Sequence, residues 1–179
     1  MVDYSDKGVV WYAMRTTYQR EMRAKALLDA AGVENFVPMR RCVTVVRGKK
    51  IVTLKPALHN LIFVKSDSAT MREIKSRVTF MQSRLTEFEG TLFPIVVPTE
   101  QMEQFIYAVE CAMDEITIVD LVSMEIEKGV SARIIDGKFK GFVGVLSKIK
   151  GTRDRRVTIN VEGVVAYTID VDASFIEKI

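Results

Sequence analysis

Hydrophobic and polar positions in the first part of the chain alternate between the spacing of a strand and that of a helix. Residues 9–15 are rich in β-branched and aromatic side chains, which is typical of a strand. Ala24, Leu27, Leu28 and Ala31 then recur at helical spacing and predict one apolar helix face. The two patterns repeat and predict the order β-α-β-hairpin-β-α-β-β-α. We therefore expect an α+β fold with helices on a mostly antiparallel sheet.

The last third of the chain has the pattern of short strands separated by turns. Valine, isoleucine and threonine are frequent in residues 128–179, and Asp136-Gly137 marks a tight turn. Residues 116–127 separate this part from residues 1–115. Their apolar, β-prone composition is unusual for a flexible linker, and pairing with a neighbouring strand is the alternative. We expect two domains, 1–115 and 128–179, joined by residues 116–127.

Charge is distributed in blocks, although the formal net charge is only +3. Residues 40–55 hold six Lys or Arg and no acid, whereas residues 87–127 hold ten acids and no Lys or Arg. Gly48 between two β-prone runs predicts that the basic stretch is a β-hairpin. Separate blocks favour separate surfaces for separate partners, including nucleic acid. Plain solvation of two small domains is the alternative.

Residues 136–146, DGKFKGFVGVL, resemble the KOW motif. The resemblance implies a small SH3-like β-barrel that binds RNA or protein. Its expected partner contacts are Phe139, Phe142, Lys138 and Lys140, and the partners of relatives include ribosomal protein S10 and Rho. Burial of one phenylalanine in the barrel core is the alternative. The many Val, Ile and Thr residues oppose the helical hairpin that one relative adopts.

Two stretches of the first domain resemble the amino-terminal domain of NusG-type transcription factors. Trp11-Tyr12 open a strand that an amphipathic helix follows, as in that family. Residues 55–64, KPALHNLIFV, resemble its proline-containing segment and the strand after it. With the KOW motif, the resemblance covers nearly the whole chain. His59 and Asn60 replace the usual proline and glycine, which favours a specialised paralogue of the UpxY or RfaH type.

The resemblance implies that an apolar depression on the first domain binds the clamp helices of RNA polymerase. By motif position, Leu58, Leu61 and Phe63 lie in this depression, with Phe80 as a weaker addition. Leu61 and Phe63 share one side of their strand, because side chains alternate along a strand. The alternative is that both belong to the core.

A basic surface for non-template DNA or nascent RNA is the second implication. The candidate side chains lie on the first helix and on the predicted hairpin. They are Arg20, Arg23, Lys25, Arg40, Arg41, Arg47, Lys49 and Lys50. Contact with phosphate needs only positive charge, so a solvated basic face is the alternative for each of them.

The sequence contains no nucleophile motif, Walker loop or GxGxxG signature. His59 is the only histidine and has no Cys, His or Asp cluster in the sequence around it, so we expect no metal, no cofactor and no enzymatic activity. No apolar run approaches the roughly 20 residues that cross a bilayer. The acidic, weakly apolar start is unlike a signal peptide, which favours a cytoplasmic protein.

These observations predict a monomeric antitermination or elongation factor. It binds RNA polymerase with its first domain and recruits a second partner with its KOW domain. A KOW-containing RNA-binding or ribosome-associated protein, which never contacts polymerase, is the alternative.

Overall fold

The computed structural model describes residues 8–121, 129–148 and 155–179. Their contacts divide the chain into two compact units, Met1–Glu103 and Gln104–Ile179. These are the first and second units below, and each has a sheet of its own. Within the described residues, no helix has the length and apolar character needed to cross a membrane.

The first unit alternates helices with antiparallel strands. Its elements are β1 (Val10–Thr16), α1 (Glu21–Ala30), β2 (Asn35–Phe36), β3 (Met39–Val46), β4 (Lys49–Pro56), β5 (Leu61–Ser66), α2 (Ser68–Arg77), β6 (Met81–Ser83), β7 (Leu85–Phe88), β8 (Thr91–Pro94), β9 (Val96–Val97) and the start of α3 (Thr99–Ala112). The main sheet has the order β2-β5-β1-β6, and β9 also pairs with β1. All of these pairings are antiparallel. The predicted mixed class with antiparallel sheets is confirmed.

β1 and β5 divide their side chains between two faces of this sheet. Met14 lies opposite Ile62, and Ala13 lies opposite Phe63. The face with Met14 and Ile62 joins one buried cluster with apolar residues of α1 and α2, among them Leu28. Burial of this face against the two helices is what holds the helices on the sheet.

The amino end of α2 is capped by the side chain of Asp67. The Asp67 carboxylate accepts hydrogen bonds from the backbone N–H groups of Ala69 and Thr70, both at 2.9 Å. It also accepts one from the Thr70 hydroxyl at 2.6 Å. These bonds, led by that of the Thr70 hydroxyl, hold the pKa of Asp67 below its ordinary value.

The second unit holds a six-stranded antiparallel sheet with the order β10-β14-β13-β12-β11-β15. Its strands are β10 (Ile116–Asp120), β11 (Val130–Ile134), β12 (Val143–Lys148), β13 (Arg155–Val161), β14 (Val165–Val171) and β15 (Ile176–Lys178). The prediction of strands in this part is confirmed, whereas closure of the sheet into a barrel stays a prediction. β10 begins the stretch expected to be a linker and pairs with β14. Residues 122–127 of that stretch lie outside the described residues.

Gly144 explains why the KOW-like stretch needs glycine inside a strand. A Cβ atom at this position would lie 2.5 Å from the Thr158 carbonyl oxygen and 2.8 Å from Val157 Cγ1. No side chain fits at those distances, so β12 and β13 approach closely only with glycine here. Gly141 has φ +92, a backbone conformation that other residues rarely adopt.

Candidate binding surfaces

A tight loop links β1 to α1 and carries two residues in the left-handed region. Tyr18 has φ +55 and Gln19 has φ +53, which is uncommon for residues other than glycine. The Gln19 backbone N–H donates a hydrogen bond to Asn60 Oδ1 at 2.8 Å. Asn60 itself has φ +60. The position where relatives of the NusG type have glycine therefore does require a left-handed backbone, and asparagine tolerates it.

The buried side chain of Glu21 joins three segments around this loop. Its side chain is only 2 % exposed. Glu21 Oε2 accepts hydrogen bonds from the Asn60 backbone N–H at 3.2 Å and from the Thr16 hydroxyl at 3.4 Å, and Oε1 lies 3.5 Å from His59 Nδ1. A buried carboxylate is tolerated because its oxygens have these partners. The end of β1, the start of α1 and the turn before β5 are thereby held together.

Arg20 and Arg23 stand beside aromatic rings at the edge of this loop. The Arg20 guanidinium carbon lies 4.4 Å from the centre of the Phe80 ring and 5.4 Å from that of Tyr18. The Arg23 guanidinium carbon lies 5.4 Å from the Phe80 ring centre. These are cation–π distances. We call the four side chains, in the order Tyr18, Arg20, Phe80 and Arg23, the aromatic–guanidinium stack.

The stack regroups the predicted site residues. Phe80, predicted for polymerase, lies with Arg20 and Arg23, which were predicted for nucleic acid. Lys25 does not join them, because its ammonium group lies 3.2 Å from the Asp29 carboxylate and 3.4 Å from Asn35 Oδ1. Tyr18 was not among the predicted site residues. The sequence feature that could have indicated it is the presence of an aromatic residue within the otherwise polar residues 16–21.

The basic stretch forms the predicted hairpin, β3 and β4, which pairs with no other strand among the described residues. Its basic side chains lie on both faces, because Arg40 lies opposite Lys55 whereas Arg41 lies opposite Leu54. Arg40, Arg41, Arg47, Lys49 and Lys50 are all exposed. Several aliphatic side chains beside them are exposed as well, which the charge pattern did not predict. They are Val43, Val45, Val46, Ile51, Val52 and Leu54.

Leu61 and Phe63 belong to the core in this structure. Both are 0 % exposed. They lie on the sheet face of Ala13 and Trp11, which are also buried. The expectation that these two side chains line an accessible depression is therefore corrected, because both faces of their strand, β5, are buried. Leu58 and Phe80, by contrast, are only partly buried.

Phe139 and Phe142 are buried as well. Their exposed fractions are 6 % and 7 %, and their ring centres are 5.6 Å apart. Tyr107, from the part of α3 that belongs to the second unit, places its ring edge-on to Phe142 at 6.3 Å. The sequence allowed for one buried phenylalanine, and the structure buries both, because the rings pack on each other and on Tyr107.

The charged residues of the KOW-like stretch remain at the surface. Lys138 forms an ion pair with Glu115 and lies 5.4 Å from the Phe139 ring centre. Lys140 is exposed in the turn that Gly137 and Gly141 shape. The lysines, rather than the phenyl rings, are what this stretch presents in the described structure. Within the described residues, no group of three or more His, Cys, Asp or Glu could hold a metal ion.

Comparisons with known proteins fit this architecture. The family model described as "Transcription termination factor nusG" matches residues 9–106, which is more than half of the chain. The solved structure "Domain interaction in Thermotoga maritima NusG" has 20 % sequence identity and a TM-score of 0.52, covering 96 % of this chain and 97 % of that one. At that identity, the likeness shows a shared fold.

A second structure, "Crystal Structure of MjSpt4:Spt5 complex conformation B", has 13 % identity and a TM-score of 0.28, over 94 % of this chain and 96 % of that one. No curated protein matches the sequence. NusG proteins are transcription factors and not a family of enzymes. The match to the family model over residues 9–106 shows that the chain belongs to the NusG family.

Proposed function

We propose that the protein is a non-enzymatic transcription elongation or antitermination factor that bridges RNA polymerase and a second partner. The observation that carries the proposal is the family match over residues 9–106, which spans the whole sheet and both exposed hairpins of the first unit. In this proposal the domain of residues 1–115 binds polymerase, and the domain of residues 128–179 recruits the partner.

The polymerase contact is an apolar depression that takes the clamp helices, as in helix-in-groove recognition. Leu58 and Phe80 are the side chains of the expected set that stay partly accessible. Leu61 and Phe63 do not contact the partner in this proposal, because they are buried core side chains of β5. Burial of Leu58 and Phe80 by a partner helix would supply the favourable free energy of binding.

Nucleic acid is the second contact of the first unit. Arg20 and Arg23 in the stack, together with the exposed basic residues of β3 and β4, offer positive charge to phosphates of the non-template DNA strand or of nascent RNA. Binding of this kind releases counterions and therefore weakens steeply with salt.

The second unit recruits the further partner through Lys138 and Lys140, with ribosomal protein S10 and Rho as candidates. Phe139 and Phe142 take part only if the ring packing with Tyr107 opens. Tethering the partner to polymerase raises its effective concentration there and involves no chemical step. Asn60 in the left-handed position of the family glycine supports a specialised paralogue of the UpxY or RfaH type.

Transcription in vitro through a pause site, with and without the full chain, tests the proposal directly. We expect shorter pausing with the protein, and a pull-down that recovers polymerase subunits. The Leu58→Glu variant should lose both effects. Leu92→Glu is the matched control, since Leu92 is a highly exposed leucine of the hairpin β7–β8. Recovery of ribosomal subunits without polymerase would instead support the alternative RNA-binding or ribosome-associated function.

A further inference from the structure

We propose that two copies of the protein associate through their first units, with the basic hairpin β3–β4 of each copy packing on the hairpin β7–β8 of the other. The occupant of each hairpin surface is thus a second copy of this chain. The inference goes beyond the proposed function, because neither the polymerase contact nor the partner of the second unit takes part in it. It also departs from the monomer that the sequence led us to expect.

The first observation is that one face of β3–β4 carries four aliphatic side chains, each between 59 % and 64 % exposed. Opposed residues of an antiparallel pair lie on the same face, and side chains alternate along each strand. The register therefore groups these four, which we call the aliphatic face: Val43, Val45, Val52 and Leu54. An exposed apolar patch of this kind marks a contact site.

The second observation is that this hairpin lacks the packing that usually stabilises one. β3 and β4 form a two-stranded sheet and pair with no further strand in the part of the chain that the structure describes. A two-stranded hairpin alone is marginally stable in water, and burial of an apolar face supplies the missing stability. A partner that covers the aliphatic face would therefore stabilise β3 and β4.

The third observation is the charge that accompanies the aliphatic face. Arg41 lies opposite Leu54, and Lys50 lies opposite Val45, so both cations share this face. Residues 40–55 contain no acid. Packing of two such faces on each other would bring like charges together, which is unfavourable. The matching surface must therefore be apolar and acidic.

The hairpin β7–β8 of the first unit has both properties. Leu85 and Leu92 are 50 % and 61 % exposed. Glu87 lies directly opposite Leu92 and two positions after Leu85, so the three side chains share one face. This hairpin also pairs with no other strand among the described residues. Because each copy carries both surfaces, two copies make both contacts in a closed pair, the usual symmetry of soluble oligomers.

The test is sedimentation velocity of the full chain without nucleic acid, from micromolar to near-millimolar concentration. We expect reversible association that reaches two copies. Lys50→Glu reverses a charge on the aliphatic face, and Glu87→Lys reverses the charge on its partner surface. Each should weaken association about tenfold or more. Lys49→Glu is the matched control, because Lys49 lies on the opposite face of the same strand, and it should associate like the wild type.

Mixing the two variants separates loss of a charge pair from loss of folding. In an equimolar mixture of Lys50→Glu and Glu87→Lys, both contacts again join opposite charges, so association should return to about the wild-type strength. Two misfolded variants would not restore it. Val43→Thr combined with Val52→Thr keeps the β-branched shape but removes apolar groups, and it should associate several-fold more weakly.

The inference is overturned if the wild type sediments as one copy at every concentration. It is also overturned if both single variants associate like the wild type, or if their mixture stays apart. Loss of polymerase binding in Lys50→Glu with normal association would make β3–β4 a polymerase contact instead.

The proposed function fails or stands separately from this inference. Leu58→Glu should self-associate like the wild type, because Leu58 lies outside both hairpins. Leu92→Glu should associate more weakly and still be recovered with polymerase.

Discussion

Asn60 and Gln19, which are 41 positions apart in sequence, are joined by a hydrogen bond of 2.8 Å from the Gln19 backbone N–H to Asn60 Oδ1. The bond ties the left-handed loop before α1 to the turn before β5. Asparagine thus contributes both a tolerated positive φ and an acceptor, and the glycine usual in the family would contribute only the first.

This dual role predicts a graded loss of stability at position 60. Asn60→Gly keeps the backbone conformation but loses the acceptor, so we expect a decrease of about 1 kcal/mol in the free energy of unfolding. Asn60→Ala loses both and should cost about 2 kcal/mol. Urea unfolding followed by fluorescence of Trp11, the only tryptophan and a buried residue of β1, measures the first unit. A glycine variant less stable than the alanine variant would contradict this account.

Protonation of Asp67 at low pH should reduce the stability of the fold. Its pKa is lowered in the folded state, so its contribution is fully present above the unfolded value of about 3.9 and is lost as pH falls through the folded pKa. Asp67→Asn still caps α2 but does not titrate, so its stability should depend less on pH in that range. Asp67→Ala should be less stable than either at neutral pH. Thermal unfolding between about pH 2 and pH 7 compares the stability of the three proteins.

Phe142 predicts a structural role in the second unit. Removing a buried ring that packs on Phe139 and Tyr107 should cost about 3 kcal/mol or more in Phe142→Ala. Thermal circular dichroism should show a lower transition, while Trp11 fluorescence, which reports on the first unit, should keep its midpoint. Lys140→Ala, an exposed change in the same stretch, is the control. Unchanged stability of Phe142→Ala would show that this ring is not part of the core and would support its role as a partner contact.

The basic hairpin predicts a salt effect that depends on individual lysines. Each of Lys49→Gln and Lys50→Gln should reduce the slope of log binding constant against log salt concentration by about 0.7, the value for one phosphate contact on single-stranded DNA. Titrations of single-stranded DNA at several salt concentrations measure the slope. Lys25→Gln is the matched control, because Lys25 is already paired with Asp29, and its slope should stay that of the wild type.

Local patterns in the sequence anticipated the elements well. The hairpin around Gly48 and the strands of the KOW-like stretch are both confirmed. Each depends on interactions between residues close in sequence, or on composition. The predicted apolar face of α1 was partly wrong, since Leu27 is 45 % exposed while Leu28 is buried. Periodicity shows that one face of the helix is apolar, whereas packing decides how many residues of that face contact the sheet.

The candidate site was anticipated less well. The charge pattern grouped Lys25 with Arg20 and Arg23. It did not show that Lys25 is paired with Asp29 and Asn35, because those contacts form only in the folded protein. Tyr18 and Tyr107 went unnoticed, since nothing in their sequence neighbourhood shows what lies beside their rings. Nothing in the sequence marks Glu21, because one of the groups that satisfy its buried carboxylate, the Asn60 backbone N–H, comes from a distant turn.

By itself, the sequence determined the family, the mixed class of the fold and the separation of basic from acidic stretches, because these are carried by local pattern and composition. The tertiary structure alone decided that both faces of β5 are covered, so that Leu61 and Phe63 are core, and which rings meet which guanidinium groups. The physical reason is that burial and long-range contact depend on how separate elements pack. A strand shows only that its side chains alternate, and packing decides whether one side, or neither side, meets water.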